Sequence, residues 1–167
     1  MSGGIVVRPL ADPDWEAFLP VFREVVASGE SYAYPDDLTS EQARALWVEE
    51  PPGLTVVAVD AGDGTLLGSA KTGPNRPGRG SHVATASFMV ASAARGRGVG
   101  RALGRWVVEW AREQGYDAMQ FNAVVETNTA AVALWRDLGF RVIGTVPEAF
   151  DSVAHGRVGL HVMHRHL

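Results

Sequence analysis

The sequence predicts a single α/β (α+β) domain with a mixed, mainly antiparallel sheet of six or seven strands flanked by helices. Two observations carry this prediction. Short β-rich runs alternate with helical stripes along the whole chain, and 167 residues are enough for one sizeable core. The segment that organises the chain is His82 to Gly115, where an apolar strand leads through a glycine-rich turn into an amphipathic helix.

Composition excludes several classes of protein. No apolar run approaches the ~20 residues of a membrane span, and the first residues lack the pattern of a signal peptide. The absence of cysteine excludes disulfides, thiolate metal sites and a cysteine nucleophile. A net charge of -4 argues against general nucleic-acid binding. We therefore expect a cytoplasmic protein with no membrane and no nucleic-acid partner.

Strand and helix signals alternate through the N-terminal half. The predicted elements are a strand at Ile5–Arg8, a helix from Asp12–Asp14 to Gly29, a helix capped at Thr39 or Ser40, and hairpin strands Leu54–Asp60 and Leu66–Thr72. Pro20 is expected to kink or divide the first helix, because proline has no amide donor. The second helix is expected to bury Ala43, Leu46 and Trp47.

The C-terminal half continues the same alternation. The predicted elements are a strand at Ala118–Val125, a helix begun by Thr127-Asn128-Thr129 and ended by Gly139, a strand at Phe140–Pro147, a loop at Glu148–Gly156 and a strand at Arg157–Leu167. Alternation puts Asn122 and Glu126 on one face of their strand. The histidines at 161, 164 and 166 face different sides of the last strand, so no metal site is expected.

The turn after the central strand carries a pattern suited to an anion. It consists of Arg95, Gly96, Arg97, Gly98, Val99, Gly100 and Arg101. Its glycines let the backbone approach a bulky group, its arginines add positive charge, and the following helix supplies unpaired amides. A dinucleotide fingerprint is excluded because its third glycine is absent, and a P-loop is excluded because Gly-Lys-Ser/Thr is absent. The turn therefore predicts phosphate binding.

Two motifs in order resemble the GNAT superfamily of N-acetyltransferases. The order Arg-x-x-Gly-x-Gly, beginning at Arg95 directly after an apolar strand, resembles the acyl-CoA pyrophosphate loop of that family. Asn128 and Ala131, followed by the segment 134–140, resemble the part that closes the cofactor site. The resemblance is nearest to the phosphinothricin and small-amino-acid acetyltransferase subgroup. It implies a GNAT-like fold with acetyl-CoA as cosubstrate and no metal.

The resemblance also implies roles for particular residues. The backbone of the turn would hold the CoA pyrophosphate. Asn128 would hydrogen-bond the pantetheine arm, and the end of the central strand would pair with that arm. The cofactor-binding residues so implied are Phe88, Met89, Val90, Arg95, Gly96, Arg97, Gly98, Val99, Gly100, Arg101, Asn128, Ala131 and Trp135. A backbone N–H of Met89 or Val90 would face the thioester carbonyl and stabilise its developing charge. Trp135 either packs against the cofactor or belongs to the core.

Two proton carriers common in the family are absent. Trp135 stands where many members have a tyrosine that protonates the leaving thiolate, and Thr85 stands where phosphinothricin-type members have a glutamate base. Glu126 is one candidate for proton transfer, and with Met89 and Val90 it is expected to be catalytic. The other candidates for proton transfer are Glu30, His82, Tyr32 and Tyr34. Alternation puts His82 and Thr85 on opposite faces, so only one of them can face a pocket.

The predicted substrate contacts lie at three places along the chain. They are Glu30, Tyr32 and Tyr34 in the loop before the second helix, Asn122 on its strand, and Phe150 in the late loop. Aromatics covering a core edge and an asparagine satisfied by a loop carbonyl are the alternatives.

We expect direct acetyl transfer from acetyl-CoA to the amine of a small molecule, such as an amino acid or analogue. A protein or peptide N-acetyltransferase and a catalytically silent acyl-CoA-binding sensor remain alternatives. A homodimer stays open, because many family members dimerise.

Overall fold

The computed structural model describes residues 4–167. In chain order its main elements are β1 (Ile5–Pro9), α1 (Asp14–Ser28), α2 (Ser40–Trp47), β2 (Leu54–Asp60), β3 (Leu66–Pro74), β4 (Val83–Val90), α3 (Val99–Glu113), β5 (Ala118–Val125), α4 (Thr129–Asp137), β6 (Arg141–Ser152) and β7 (Gly156–His166). The strands form one seven-stranded sheet in the order β1-β2-β3-β4-β5-β7-β6. Every neighbouring pair is antiparallel except β4 and β5. The predicted mixed, mainly antiparallel sheet is confirmed.

The parallel pair at the centre of the sheet is short. β4 and β5 pair only at Val83 with Ala118 and at Ala84 with Met119. Beyond these residues the two strands diverge, although each continues for several residues. Because the strands are parallel, both carboxyl ends border the same gap. The free edge of β4 therefore faces this gap, as the prediction of a split sheet requires.

Helices cover both faces of the sheet. α1 and α2 bury an aromatic cluster on one face, made of Trp15, Phe18, Phe22 and Trp47 with Met89 of β4. α3 and α4 bury the other, larger core, which includes Leu103, Val107, Phe121, Trp135 and Phe140. These two cores hold β4 and β5 in place on either side of the gap.

The N-terminal elements match the predicted ones, with two differences. α1 continues through Pro20 to Ser28 and is not divided. α2 is capped at Thr39, whose side chain accepts from the Gln42 N–H at 3.2 Å in a capping box. The expected burial of Leu46 is wrong, since its side chain is 39% exposed while Trp47 is fully buried. Adjacent residues of a helix point about 100° apart, so they cannot share the narrow buried face of a short helix.

The C-terminal strands depart from simple alternation. A register shift between Phe121 and Val124 on β5 leaves Asn122 and Ala123 exposed and returns Val124 to the core. The prediction that Asn122 shares a face with Glu126 is therefore wrong. The predicted loop at Glu148–Gly156 is also wrong. Pairing of β6 with β7 resumes after a bulge and extends to Ser152.

Candidate active site

The gap between β4 and β5 opens into a cavity of about 380 Å³. Its walls come from the α1–α2 loop, from β4 and β5, from α4 with its cap, and from one residue each of β6 and β7. No charged side chain of residues 4–167 lines it. Of the predicted contacts, the structure brings together Tyr32, Tyr34, Phe88, Asn122, Asn128, Ala131, Trp135 and Phe150 at this cavity. The dimensions are those of a small-molecule site.

Aromatic rings form one wall of the cavity. The ring of Trp135 on α4 lies 4.5 Å from that of Phe88 and 4.9 Å from that of Phe121, measured between ring centroids. Trp135 is only 6% exposed. It is therefore part of the core and of the cavity wall at the same time, and its contact with a cofactor stays a prediction.

Tyr32 reaches from the α1–α2 loop to the free edge of β4. Its hydroxyl donates to the Phe88 carbonyl oxygen at 2.7 Å and accepts from the Phe88 N–H at 2.7 Å. The ring stacks on Tyr34 with 5.6 Å between ring centroids. Burial raises the pKa of the Tyr32 hydroxyl well above its ordinary value. The phenol is therefore protonated at neutral pH.

The backbone of β4 presents alternate amides to the gap. The Phe88 N–H points to Tyr32, whereas the Ala91 N–H points the other way and donates to the Leu67 carbonyl oxygen on β3. Successive N–H groups of a strand point to opposite edges, so the Val90 N–H faces the gap and the Met89 N–H faces β3. Of the two predicted backbone donors, the geometry favours Val90.

The turn before α3 has the open backbone expected of an anion site. Gly96 and Gly98 have φ of 75° and 83°, a region that side chains disfavour. No side chain caps α3. The first amides of the helix, at 99–101, are therefore left without intrahelical partners. Gly100 has a different function, because a Cβ there would lie 3.1 Å from Leu134 of α4.

The arginines of this turn are partly paired. Arg97 contacts Asp60 at 2.6 Å, and Arg101 contacts Asp137 at 2.8 Å. Hydrogen bonding from the Gly62 N–H, and then from Arg97, lowers the pKa of Asp60 below its ordinary value. Arg95 forms no ion pair within residues 4–167. It is the arginine of the turn that is free to meet a ligand without exchanging a partner.

Asn128 caps α4. Its side-chain oxygen accepts from the Ala131 N–H at 3.3 Å, which confirms the N-cap interpretation. The residue also lines the cavity, with Ala131 one turn along the helix. The pantetheine contact that the family resemblance implies for Asn128 stays a prediction.

Two predicted carboxylates lie outside the cavity. Glu126 is exposed and accepts from the Gly159 N–H at 2.6 Å, because the β5 bulge turns it away from the face of Asn122. Glu30 accepts from the Ser152 hydroxyl at 2.6 Å and from the Ala154 N–H at 2.7 Å. Both bonds lower the pKa of Glu30, that from Ser152 the more. The predicted catalytic position of Glu126 and substrate position of Glu30 are thus corrected to structural contacts with β7 and the β6–β7 turn.

The β5 bulge places Asn122 at the mouth of the cavity. Its amide donates to the Asn75 side-chain oxygen at 2.7 Å and its oxygen accepts from Gln120 at 2.9 Å. Asn122 is thus satisfied by a side chain of the β3–β4 loop, whereas the alternative expected from the sequence was a backbone carbonyl of a loop. Phe150, 6% exposed, borders the cavity from β6 and not from a loop.

The remaining polar candidates differ in whether they line the cavity. Thr85 lines the cavity, whereas His82 is exposed and does not. Ser87 also lines the cavity and was not predicted. The only sequence signal for it is a hydroxyl residue near the end of an otherwise apolar strand. His161 bonds to Thr145 at 2.7 Å, and residues 4–167 contain no group of three metal-ligating side chains.

The sequence that builds this site matches a known protein family. The model of the acetyltransferase (GNAT) family matches residues 15–140. The chain is a member of the GNAT acetyltransferase family. The match covers α1 to α4 and includes both the turn at 95–101 and the cap of α4. The predicted family membership is confirmed.

Two curated relatives carry acetyltransferase names. L-methionine sulfoximine/L-methionine sulfone acetyltransferase of Pseudomonas aeruginosa is 29% identical over 147 residues, which cover 85% of this GNAT chain and 83% of the relative. N-acetyltransferase aca1 of Schizosaccharomyces pombe is 32% identical over 116 residues, which cover 69% of this chain. The aligned part spans 55% of aca1, about half of its length.

Solved structures share the whole fold. A GCN5-related N-acetyltransferase from Kribbella flavida is 65% identical, with a TM-score of 0.94 and 98% of each chain covered. A phosphinothricin acetyltransferase from Sinorhizobium meliloti in complex with AcCoA is 23% identical, with a TM-score of 0.87, covering 100% of this GNAT chain and 89% of the other. At that identity the second likeness shows the fold alone. No helix in the described part of the chain is long and apolar enough to cross a bilayer.

Proposed function

We propose that this GNAT acetyltransferase uses acetyl-CoA to acetylate the amine of a small molecule, an amino acid or a related compound. The observation that carries the proposal is the cavity of about 380 Å³ at the free edge of β4. The same strand meets the uncapped start of α3, where a Cβ at Gly100 would lie 4.0 Å from the Val90 side chain. The methionine sulfoximine and sulfone acetyltransferase, similar over most of both chains, supports an amino-acid-like acceptor.

The α3 turn and the end of β4 suit the cofactor half of this reaction, and residues of the cavity suit the acceptor half. The amides at 99–101 and the free Arg95 suit the CoA phosphates, since a helix N-terminus favours anions. The Val90 N–H suits the thioester carbonyl. Tyr34, Asn122 and Phe150 border the space left for the acceptor. The absence of cysteine agrees with direct transfer from acetyl-CoA to the amine. A cytoplasmic location and a homodimer stay predictions.

The test is CoA release from acetyl-CoA over a panel of free amino acids, imino acids, polyamines and short peptides. We expect release with a small amine and its loss in Arg95→Glu, because the reversed charge repels the CoA phosphates. Arg79→Glu is the matched control, since it makes the same charge change on an exposed loop residue away from α3. Release that depends only on peptides would favour the protein N-acetyltransferase instead. Equal loss of activity in both variants would contradict the assigned phosphate site.

One observation favours a second candidate, the silent acyl-CoA-binding module. No carboxylate and no imidazole of residues 4–167 lines the cavity, so the usual base is absent. This module would bind acetyl-CoA and release no thiol above the rate without amine. Calorimetric binding of acetyl-CoA, measured beside the release assay, separates the two candidates.

A further inference from the structure

The cavity contains few groups that can transfer a proton. Among its lining residues the only side chains that titrate are Tyr32 and Tyr34. Trp135 stands where the family resemblance places an acidic tyrosine, and its indole N–H is not an acid at neutral pH. Glu126 and Glu30 are engaged outside the cavity. A proton for the leaving thiolate therefore has to come from a tyrosine or from water.

Of the two tyrosines, Tyr32 has its hydroxyl on the edge of β4. That hydroxyl contacts both backbone groups of Phe88 at 2.7 Å. The Val90 N–H lies on the same edge two residues further, about 7 Å along the strand. A thioester that accepts from the Val90 N–H through its oxygen and meets the Tyr32 hydroxyl through its sulfur spans this distance, because the contact at each end adds about 3 Å. Tyr34 stacks behind Tyr32 against Phe22 and has no contact of this kind with β4.

Building on the proposed acetyl transfer, we propose that Tyr32 is a catalytic residue that donates its phenolic proton to the departing CoA sulfur. It replaces, from the α1–α2 loop, the acid that α4 lacks. The burial that raises its pKa keeps the phenol protonated before transfer. The Phe88 N–H, which already donates to the hydroxyl oxygen, stabilises the phenolate left afterwards.

The proposed step balances. The amine nitrogen forms a bond to the acetyl carbon, and the carbon–sulfur bond breaks with its electron pair on sulfur. The proton of the Tyr32 hydroxyl moves to that sulfur and gives the free thiol. The nitrogen then gives up one proton, which returns through water to the Tyr32 oxygen. The products are the N-acetylated amine and CoA, and the enzyme ends as it began.

The first test is Tyr32→Phe, which removes only the hydroxyl. We expect kcat with acetyl-CoA to fall about 100-fold, the low end of the effect of a general acid. Calorimetry should give a Kd for acetyl-CoA close to that of the wild type, which shows that the site is still formed. Tyr116→Phe is the matched control. Tyr116 packs on Trp110 outside the cavity, with 5.8 Å between ring centroids, so its hydroxyl is not expected to affect kcat.

The second test varies the leaving group. In the selenium analogue of acetyl-CoA the departing atom is far less basic and needs no proton. We expect the kcat defect of Tyr32→Phe to shrink to about fivefold or less with this donor. A defect of equal size with both donors, a defect that lies only in the Kd, or no defect at all would overturn the proposal. Absence of amine-dependent release in the wild type would instead overturn the proposed function.

Discussion

Gly98 shows how one residue connects the fold to the cosubstrate. It precedes α3 with φ of 83°, and no side chain caps the helix after it. We expect Gly98→Ala to lower the free energy of unfolding by about 1–2 kcal/mol, because a Cβ is disfavoured in the left-handed region. Weaker binding of acetyl-CoA should accompany the loss, since this turn positions the amides of α3. Urea unfolding and calorimetry measure the two effects.

Gly144→Ala is the control for that substitution. A Cβ at Gly144 meets no atom within 4 Å, and its φ lies outside the left-handed region. Its effect on unfolding and on acetyl-CoA binding should therefore be small. Equal effects of both substitutions would show that the left-handed conformation is not what Gly98 contributes.

The sequence predicted those site residues whose conformation depends only on their neighbours in the chain. The glycines of the turn and the cap at Asn128 are set by neighbours in the chain, and both were predicted. Glu126 was misplaced because its direction depends on a bulge four residues earlier. The contact of Tyr32 with Phe88 spans 56 positions, so no local pattern could show it.

At the scale of elements, the ion pair of Arg8 and Asp14 joins β1 to α1. The two side chains meet at 2.6 Å, and this hydrogen bond is the main cause that lowers the pKa of Asp14 from 3.8. A carboxyl whose folded pKa is lowered adds stability above its unfolded pKa and loses it as the pH falls through its folded pKa. Asp14 should therefore contribute to unfolding at acidic pH.

We expect Asp14→Asn to lower the free energy of unfolding at pH 7 by up to about 1 kcal/mol, the range of a partly exposed ion pair. The difference from the wild type should shrink as the pH falls below 3.8 and vanish below the lowered pKa of the folded Asp14 carboxyl, where the wild type also loses this charge. Urea unfolding from pH 7 to pH 2 measures this. Asp12→Asn removes a carboxylate that is 93% exposed, and it should leave the pH dependence of the free energy of unfolding unchanged. A constant difference between Asp14→Asn and the wild type at all pH values would contradict the assignment.

The ends of helices were predictable where capping residues mark them. The Thr39 capping box and the helix end at Gly29, with φ of 68°, are local signals. The extension of β6 to Ser152 was not predictable, because it depends on a bulge that restores pairing with β7 after Glu148. Bulges are fixed by the partner strand, whereas caps are fixed by the chain itself.

At the scale of the whole molecule, the sheet is joined across its middle by two residue pairs of β4 and β5 and by the helices packed over them. A ligand that fills the gap would complete the sheet. We expect acetyl-CoA at about 100 times its Kd to raise the free energy of unfolding by about 2.7 kcal/mol. Amide hydrogen exchange should slow at Val90 and at 99–101, because these N–H groups gain partners.

The same exchange experiment locates the ligand. The edge strand β1 lies three strands from β4 and contributes no residue to the cavity, so its amides should keep their exchange rates. A second surface cavity near Arg105, Arg112 and Arg165 provides the alternative for an anionic ligand. Slowed exchange beside those arginines, with none at Val90, would place acetyl-CoA outside the gap. Slowed exchange at Val90 that disappears in Arg95→Glu would tie the gap and the turn to one bound molecule, since only a ligand reaching both can couple them.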